Sequence, residues 1–249
     1  MAKQASILKV EGTIEDLTFY KSKDGYVVRK KGGVSKDQIA KDPAFARTRE
    51  NGIEFGHIAK MGKLLRRTVV DLLNEAKERT VTRRLTQVMG RIKNEDTVSV
   101  RGQRQVAIGL STPQGKAWLK GFDFNADAPL GTVLRSDFTL DTATGEIVIL
   151  DLIPIKKLDI PEGATHVSFT AGFVNLDFSN GDKDVQISPS VTVPINLTAS
   201  NVTLTPPAPA IGTGNALYLL LVGFYQEMNG QQYPLNNGAH NALSMIEVL

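Results

Sequence analysis

Cysteine is absent from all 249 residues. That excludes disulfides, thiolate metal sites and a cysteine nucleophile. Histidine is nearly as scarce: His57, His166 and His240 stand far apart. None has the clustered His, Asp or Glu that a zinc site requires. Tryptophan occurs once, at Trp118, and aromatic residues make up 6% of the chain, so stacking platforms for sugars or bases are few. No run approaches the roughly 20 apolar residues of a membrane span. The longest, "ALYLLLVGFY" (216–225), suits a buried strand. The start, "MAKQASILKVEGTIEDL", has an apolar run too short for a signal-peptide core and acquires acids quickly. The expected location is the cytoplasm, or release without a classical signal.

Catalytic motifs are equally scarce. There is no Gly-x-Ser-x-Gly elbow and no P-loop. "GTGNA" (212–216) echoes a phosphate loop, but it precedes a strand, so the helix N-terminus that would hold phosphate is missing. "DFSNGDKD" (177–184) offers Asp177, Asp182 and Asp184 as hard oxygen donors without the EF-hand spacing, and reads as a hairpin turn with solvated acids. The carboxylate pairs Glu15/Asp16 and Glu95/Asp96 fall at turns and read as solvated surface. No catalytic residue, cofactor or metal is expected, and the chain is read as a non-enzyme.

Charge is unevenly distributed. Residues 1–94 carry a net +10 and residues 95–249 a net −7. A basic half can face a polyanion, or meet the acidic half of another copy. It can also be simply the solvated side of basic helices.

Along the chain, three regions follow one another. In residues 1–33, "LTFYKSKDGYVVRKK" alternates, with Leu17 and Phe19 on one face and Thr18 and Tyr20 on the other, and Lys23-Asp24-Gly25 marks a turn. This is a β-hairpin arm, which alone is at best marginally stable in water. In residues 34–95, Ser35-x-x-Gln38 and Asp42-Pro43 are helix starts. Phe55, Ile58, Ala59, Leu65, Val69, Leu72, Leu73 and Ala76, then Val81, Leu85, Val88 and Ile92, recur at helical spacing, which predicts two or three helices. In residues 96–249, strand-length segments such as "TVSVRG", "QVAIGLS", "AWLKGFDFN" and "GEIVILDLIP" alternate with turn signals, among them Asn180-Gly181 and Asn229-Gly230. Eight to ten strands with "YLLLVGFYQ" at the centre predict an antiparallel, Ig-like β-sandwich. The expected fold class is α+β.

The stretch "EGTIEDLTFYKSKDGYVVRKKGGVSKDQIAKDPAFARTREN…EFGHIAKMGKLLR" resembles uncharacterised proteins of Bacteroidetes-type bacteria. They share a Gly-x-Ile/Val-x-x-Leu-x-Phe-Tyr opening, a Gly-x-x-Val-Arg return strand and a "DPAFARTREN"-like helix. The resemblance covers the first third of the chain. It implies a bacterial source and no particular activity.

These readings converge on a self-assembling structural subunit: a filament, sheath or shell forming a homo-oligomer or polymer. Leu17, Phe19, Tyr20, Tyr26 and Val28 would anchor the arm on a neighbouring copy. Arg66, Arg67, Arg83 and Arg84 would meet acids such as Asp177, Asp182 and Asp184. Two alternatives stand beside this. One is a nucleic-acid binder using the basic helices of residues 60–93, with stripes such as Lys77/Arg84 and Arg84/Arg91 joined by Arg79 and Lys93. Interleaved acids and few aromatics weigh against it. The other is an Ig-like ligand or carbohydrate binder, which needs an exposed aromatic platform that only Trp118 and a few tyrosines could supply, and Trp118 reads better as a core residue.

Overall fold

A computed structural model describes residues 2–4, 7–23, 25–30, 32–76 and 78–249. The turn expected at Lys23-Asp24-Gly25 and the stripe residue Lys77 fall partly or wholly outside them. The chain divides into two compact units, Met1–Arg49 and Glu50–Leu249.

The first unit is built on an antiparallel sheet. The expected hairpin is present as β3 (Leu17–Ser22) and β4 (Gly25–Lys30), in the register Phe19↔Val28 and Tyr20↔Val27. The arm is more than two strands, however. β2 (Gly12–Ile14) pairs with β3, and the two-residue β1 (Ala2–Lys3) pairs with β4. Glu15, at φ 48°, makes the tight reversal between β2 and β3. After the glycines Gly32 and Gly33 comes α1 (Lys36–Lys41), whose Ser35 side chain accepts from the Gln38 N–H. A 3₁₀ turn, Pro43–Phe45, follows, with Asp42 accepting from the Ala44 N–H. Arg49 donates to the carbonyls of Ile39 and Asp42 and ties α1 to the first turn of the next helix. That helix, α2 (Ala46–Thr68), runs on into the second unit.

The second unit departs from the expected sandwich. Its centre is an open six-stranded antiparallel sheet, curled like half a barrel. Two long strands form its spine: β7 (His166–Leu176) and β11 (Asn215–Met228), paired along eleven residues. The shorter strands β8 (Lys183–Ile187) and β9 (Val191–Pro194) flank β7 end to end. On the other side β12 (Gln231–Pro234) and β13 (Ala242–Val248) flank β11. Between β11 and β12, Asn229 (φ 53°) and Gly230 (φ 75°) supply the positive φ values of a tight two-residue turn.

Alternate residues of the spine enter two separate cores. Leu217, Leu219 and Leu221 of β11, with Val174 and Leu176 of β7, pack under helices. The helices are α2, α3 (Val70–Glu75), α4 (Val81–Asn94), α5 (Val106–Leu110) and α6 (Pro113–Leu119). They contribute Leu65, Leu72, Leu85, Met89, Ile92, Leu110 and Leu119, and Val69 joins them from the break between α2 and α3. On the opposite face Leu220, Val222 and Phe224 of β11, with Val167, Phe169 and Ala171 of β7, meet a second sheet. That sheet is β5 (Thr139–Leu140), β6 (Ile147–Leu152) and β10 (Ser200–Leu204). Two single-turn helices, α7 (Leu130–Val133) and α8 (Pro154–Lys157), complete the fold.

The Ig-like sandwich is therefore corrected: one face of the main sheet is covered by helices and only the other by strands. The described residues contain eight α-helices where two or three were expected. "QVAIGLS" and "AWLKGFDFN" read as strands because short apolar runs do not separate strand from buried helix. Thr112-Pro113 decides for α6: Thr112 Oγ1 accepts from Gly115 N and proline occupies the first helical position. "TVSVRG" forms a loop, with Val98 and Val100 exposed. The three-helix layer α4–α5–α6 relies on glycine for contact. A Cβ on Gly109 would lie 2.0 Å from the Ile92 carbonyl oxygen, and one on Gly115 would lie 1.9 Å from that of Gly109.

Candidate functional site

In the first unit, directly paired residues of an antiparallel ladder point to the same side. Pairing thus places Ile14, Leu17, Phe19, Tyr26 and Val28 on one face of the sheet. Tyr20 falls on the other face with Val27. The interface residues expected from sequence are divided: four share a face, Ile14 joins them, and Tyr20 does not. Lys21 lies 5.7 Å from the Tyr26 ring centre at one margin of the apolar face, while Arg29 covers Tyr20 on the reverse. Ile14 is 56% and Leu17 43% exposed. Phe19, Tyr26 and Val28 are half-buried, and Val27 is the one buried apolar residue among the described residues of these strands. β1 and β2 are the edge strands of this sheet.

The basic residues of α2 and α4 take unequal roles. Arg84 is structural. Its guanidinium donates to Glu78 Oε2 at 3.1 and 2.5 Å, to the Asp123 carbonyl at 2.7 Å and to the Phe124 carbonyl at 3.0 Å, and lies over the Phe122 ring. Arg91 lies 4.8 Å from the centre of the Trp118 ring, whose Nε1–H donates to Glu95. The indole is therefore occupied by a neighbour and offers no open sugar platform. Lys93 pairs with Glu54. Arg66 is half-buried, and Arg67, Arg79 and Arg83 are exposed. The stripe read as a phosphate track thus has three members, Arg84, Arg91 and Lys93, committed within the fold. Asp177, Asp182 and Asp184 are engaged locally, accepting from Ser179, Asn180, Gln186 and the Ile211 N–H. Among the described residues no three His, Cys, Asp or Glu side chains gather to hold a metal.

A cleft that sequence reasoning missed lies in the second unit. Ile53, Glu54, His57 and Met61 line one side from α2, the segment Gly102–Gln105 another, and Phe178 and Ser179 close it. Its volume is about 480 Å³. The segment between α4 and α5 is held at three points. Asp96, read as a solvated turn acid, is buried and accepts from the Val98, Ser99 and Gln105 N–H groups at 3.1, 2.9 and 2.8 Å. Glu54 accepts from Gly102 N at 2.8 Å, and His57 Nε2 accepts from Val106 N at 3.0 Å. That last bond requires a lone pair on Nε2, so the ring proton of neutral His57 is on Nδ1.

Electrostatics follow from this packing. Burial alone raises the Glu54 pKa, but the Lys93 hydrogen bond, the Gly102 N–H and the charges of Lys93 and Arg104 outweigh it and hold the carboxyl below its ordinary value. Burial, then the charge of Lys60, push His57 below its ordinary value, which keeps the ring neutral at neutral pH.

The chain matches no family model, no curated protein and no solved structure.

Proposed function

We propose that the chain is a non-enzymatic, self-associating structural subunit whose N-terminal sheet pairs with that of a second copy. One observation carries this reading. A four-stranded sheet buries one of its described apolar side chains and leaves Ile14 and Leu17 open beside Phe19, Tyr26 and Val28. Single-layer sheets need a covered hydrophobic face to be stable. A contiguous apolar patch rimmed by Lys21 and Lys30 is the surface type that marks protein association. The patch is apolar throughout its centre, so a second copy can meet it face to face without opposing charges. Such an isologous contact closes at two copies. Within this reading, pairwise association is favoured over the filament, sheath or shell expected from sequence.

The test is the full chain carrying Leu17→Lys and Val28→Lys. Size-exclusion chromatography with light scattering should show wild-type association lost in the variant, with the melting of the second unit unchanged. A variant that associates as the wild type does would refute the reading.

A further inference from the structure

The cleft of the second unit contains a guanidinium that acts on Glu54 only through its charge and has a buried Nε with no hydrogen-bond partner. Among the described residues, the Arg104 guanidinium makes no hydrogen bond and no ion pair, although its Nε is buried. Arginine presents five donors in a planar fork, and in a partly enclosed site those donors ordinarily find acceptors. Three neighbouring groups are engaged within the fold. Glu54 is taken by Lys93 and Gly102 N, and His57 Nε2 by Val106 N. Asp177 is turned onto the Ser179 N–H and hydroxyl. The carboxylates of Glu54 and Asp177 are outnumbered by Lys93, Arg104 and the nearby Lys60, so the surroundings of the cleft carry net positive charge.

We propose that this cleft binds a carboxylate carried on an apolar body. The Arg104 fork takes the two carboxylate oxygens, the geometry for which guanidinium is suited and ammonium is not. Ile53, Met61 and Phe178 receive the apolar part. The volume falls within the range of small-molecule sites. The surrounding loop is preorganised: Asp96, Glu54 and His57 fix residues 98–106 by their backbone N–H groups before any ligand arrives. Such fixing lowers the ordering cost of binding. This inference is independent of N-terminal association, which concerns the other unit.

The experiment uses the full chain with two carboxylate sources and one control. Benzoate represents a free small acid, the capped tripeptide acetyl-Phe-Glu-Phe-amide represents a protein-borne acid, and benzamide is the uncharged match to benzoate. Binding is read by titration calorimetry and by amide shifts at Gly102, Arg104 and Val106. At least one acid should bind and move those amides, and benzamide should not. Arg104→Gln should weaken that acid at least tenfold, and Arg104→Lys should weaken it too, because the paired geometry is lost. Arg67→Gln, on an exposed part of α2, should bind as wild type. Thermal melts verify that each variant is folded, and should Arg104→Gln not fold, the Arg104→Lys comparison stands in its place. The better-binding acid identifies the source. No binding by either acid at about 10 mM, equal binding by Arg104→Gln, or equal binding of benzamide would overturn the proposal.

Discussion

Replacing Glu54 by leucine tests how the cleft and helix layer are held. Side-chain exposure is 7% for Glu54 and 12% for Lys93, so neither charge has ready access to water. Glu54→Leu strands the Lys93 ammonium and removes the acceptor of the Gly102 N–H. Removing one partner of a buried pair costs about 3–5 kcal/mol, and an orphaned buried N–H about 1–3 kcal/mol. The two effects share one lost carboxylate, so about 4 kcal/mol in total is expected. Domains of this kind are stable by about 5–15 kcal/mol, so the variant should remain folded but fragile. With about 2–4 °C lost per kcal/mol at this size, Tm should fall by about 8–16 °C. Adding Lys93→Met removes the stranded charge, and the double variant should recover more than half the loss. Urea unfolding, with the slope checked for constancy, measures each step. A single variant losing less than about 1 kcal/mol would show that Lys93 reaches solvent without cost. A double variant no better than the single would refute the stranded-charge argument.

Two further outcomes follow from other contacts. Gly109→Ala places a methyl group 2.0 Å from the Ile92 carbonyl oxygen, so α4 and α5 must separate, and urea unfolding should show a loss of about 3 kcal/mol or more; a near-neutral result would mean that the helices are not in contact there. The lowered folded-state pKa of His57 means that the unfolded chain binds the proton more readily. Stability contributed by the neutral ring is therefore complete above the ordinary value of 6.5 and is lost as pH falls from there through the folded value. Guanidinium midpoints for wild type should decline over that window, and His57→Gln should lack that part of the decline; parallel profiles would remove the assigned role of the ring.

Individual elements, but not the architecture that joins them, are legible in the sequence where local rules and packing agree. Ser35 and Asp42 cap as their patterns predict. "YLLLVGFYQ" is apolar on alternate and intervening positions because β11 is covered on both faces. What covers it is not written in that run. A continuous apolar strand fits beneath helices as well as beneath a second sheet, and five-residue segments such as Val106–Leu110 carry too little periodicity to decide. Hence the segments of α5 and α6 read as strands, while α2 and α4 read as helices. The cleft was hidden for a related reason. Glu54, His57 and Arg104 are separated by up to 50 residues, and each looks like a solvated side chain until the loop after α4 is folded. The clue present was Asp96 followed by a short polar and glycine-bearing segment, the composition of a side-chain-pinned loop. In the N-terminal sheet the alternation placed Leu17 and Phe19 together. It also separated Tyr20 from them, and the third strand, only three residues long, left too short a pattern to read.

The association of N-terminal sheets is tested most directly by sedimentation equilibrium of the intact chain across a wide concentration range. Face-to-face pairing gives a reversible rise from the 27.1 kDa chain mass to twice that value and no further. A mass that stays at one chain at every concentration, or climbs without limit, would contradict it.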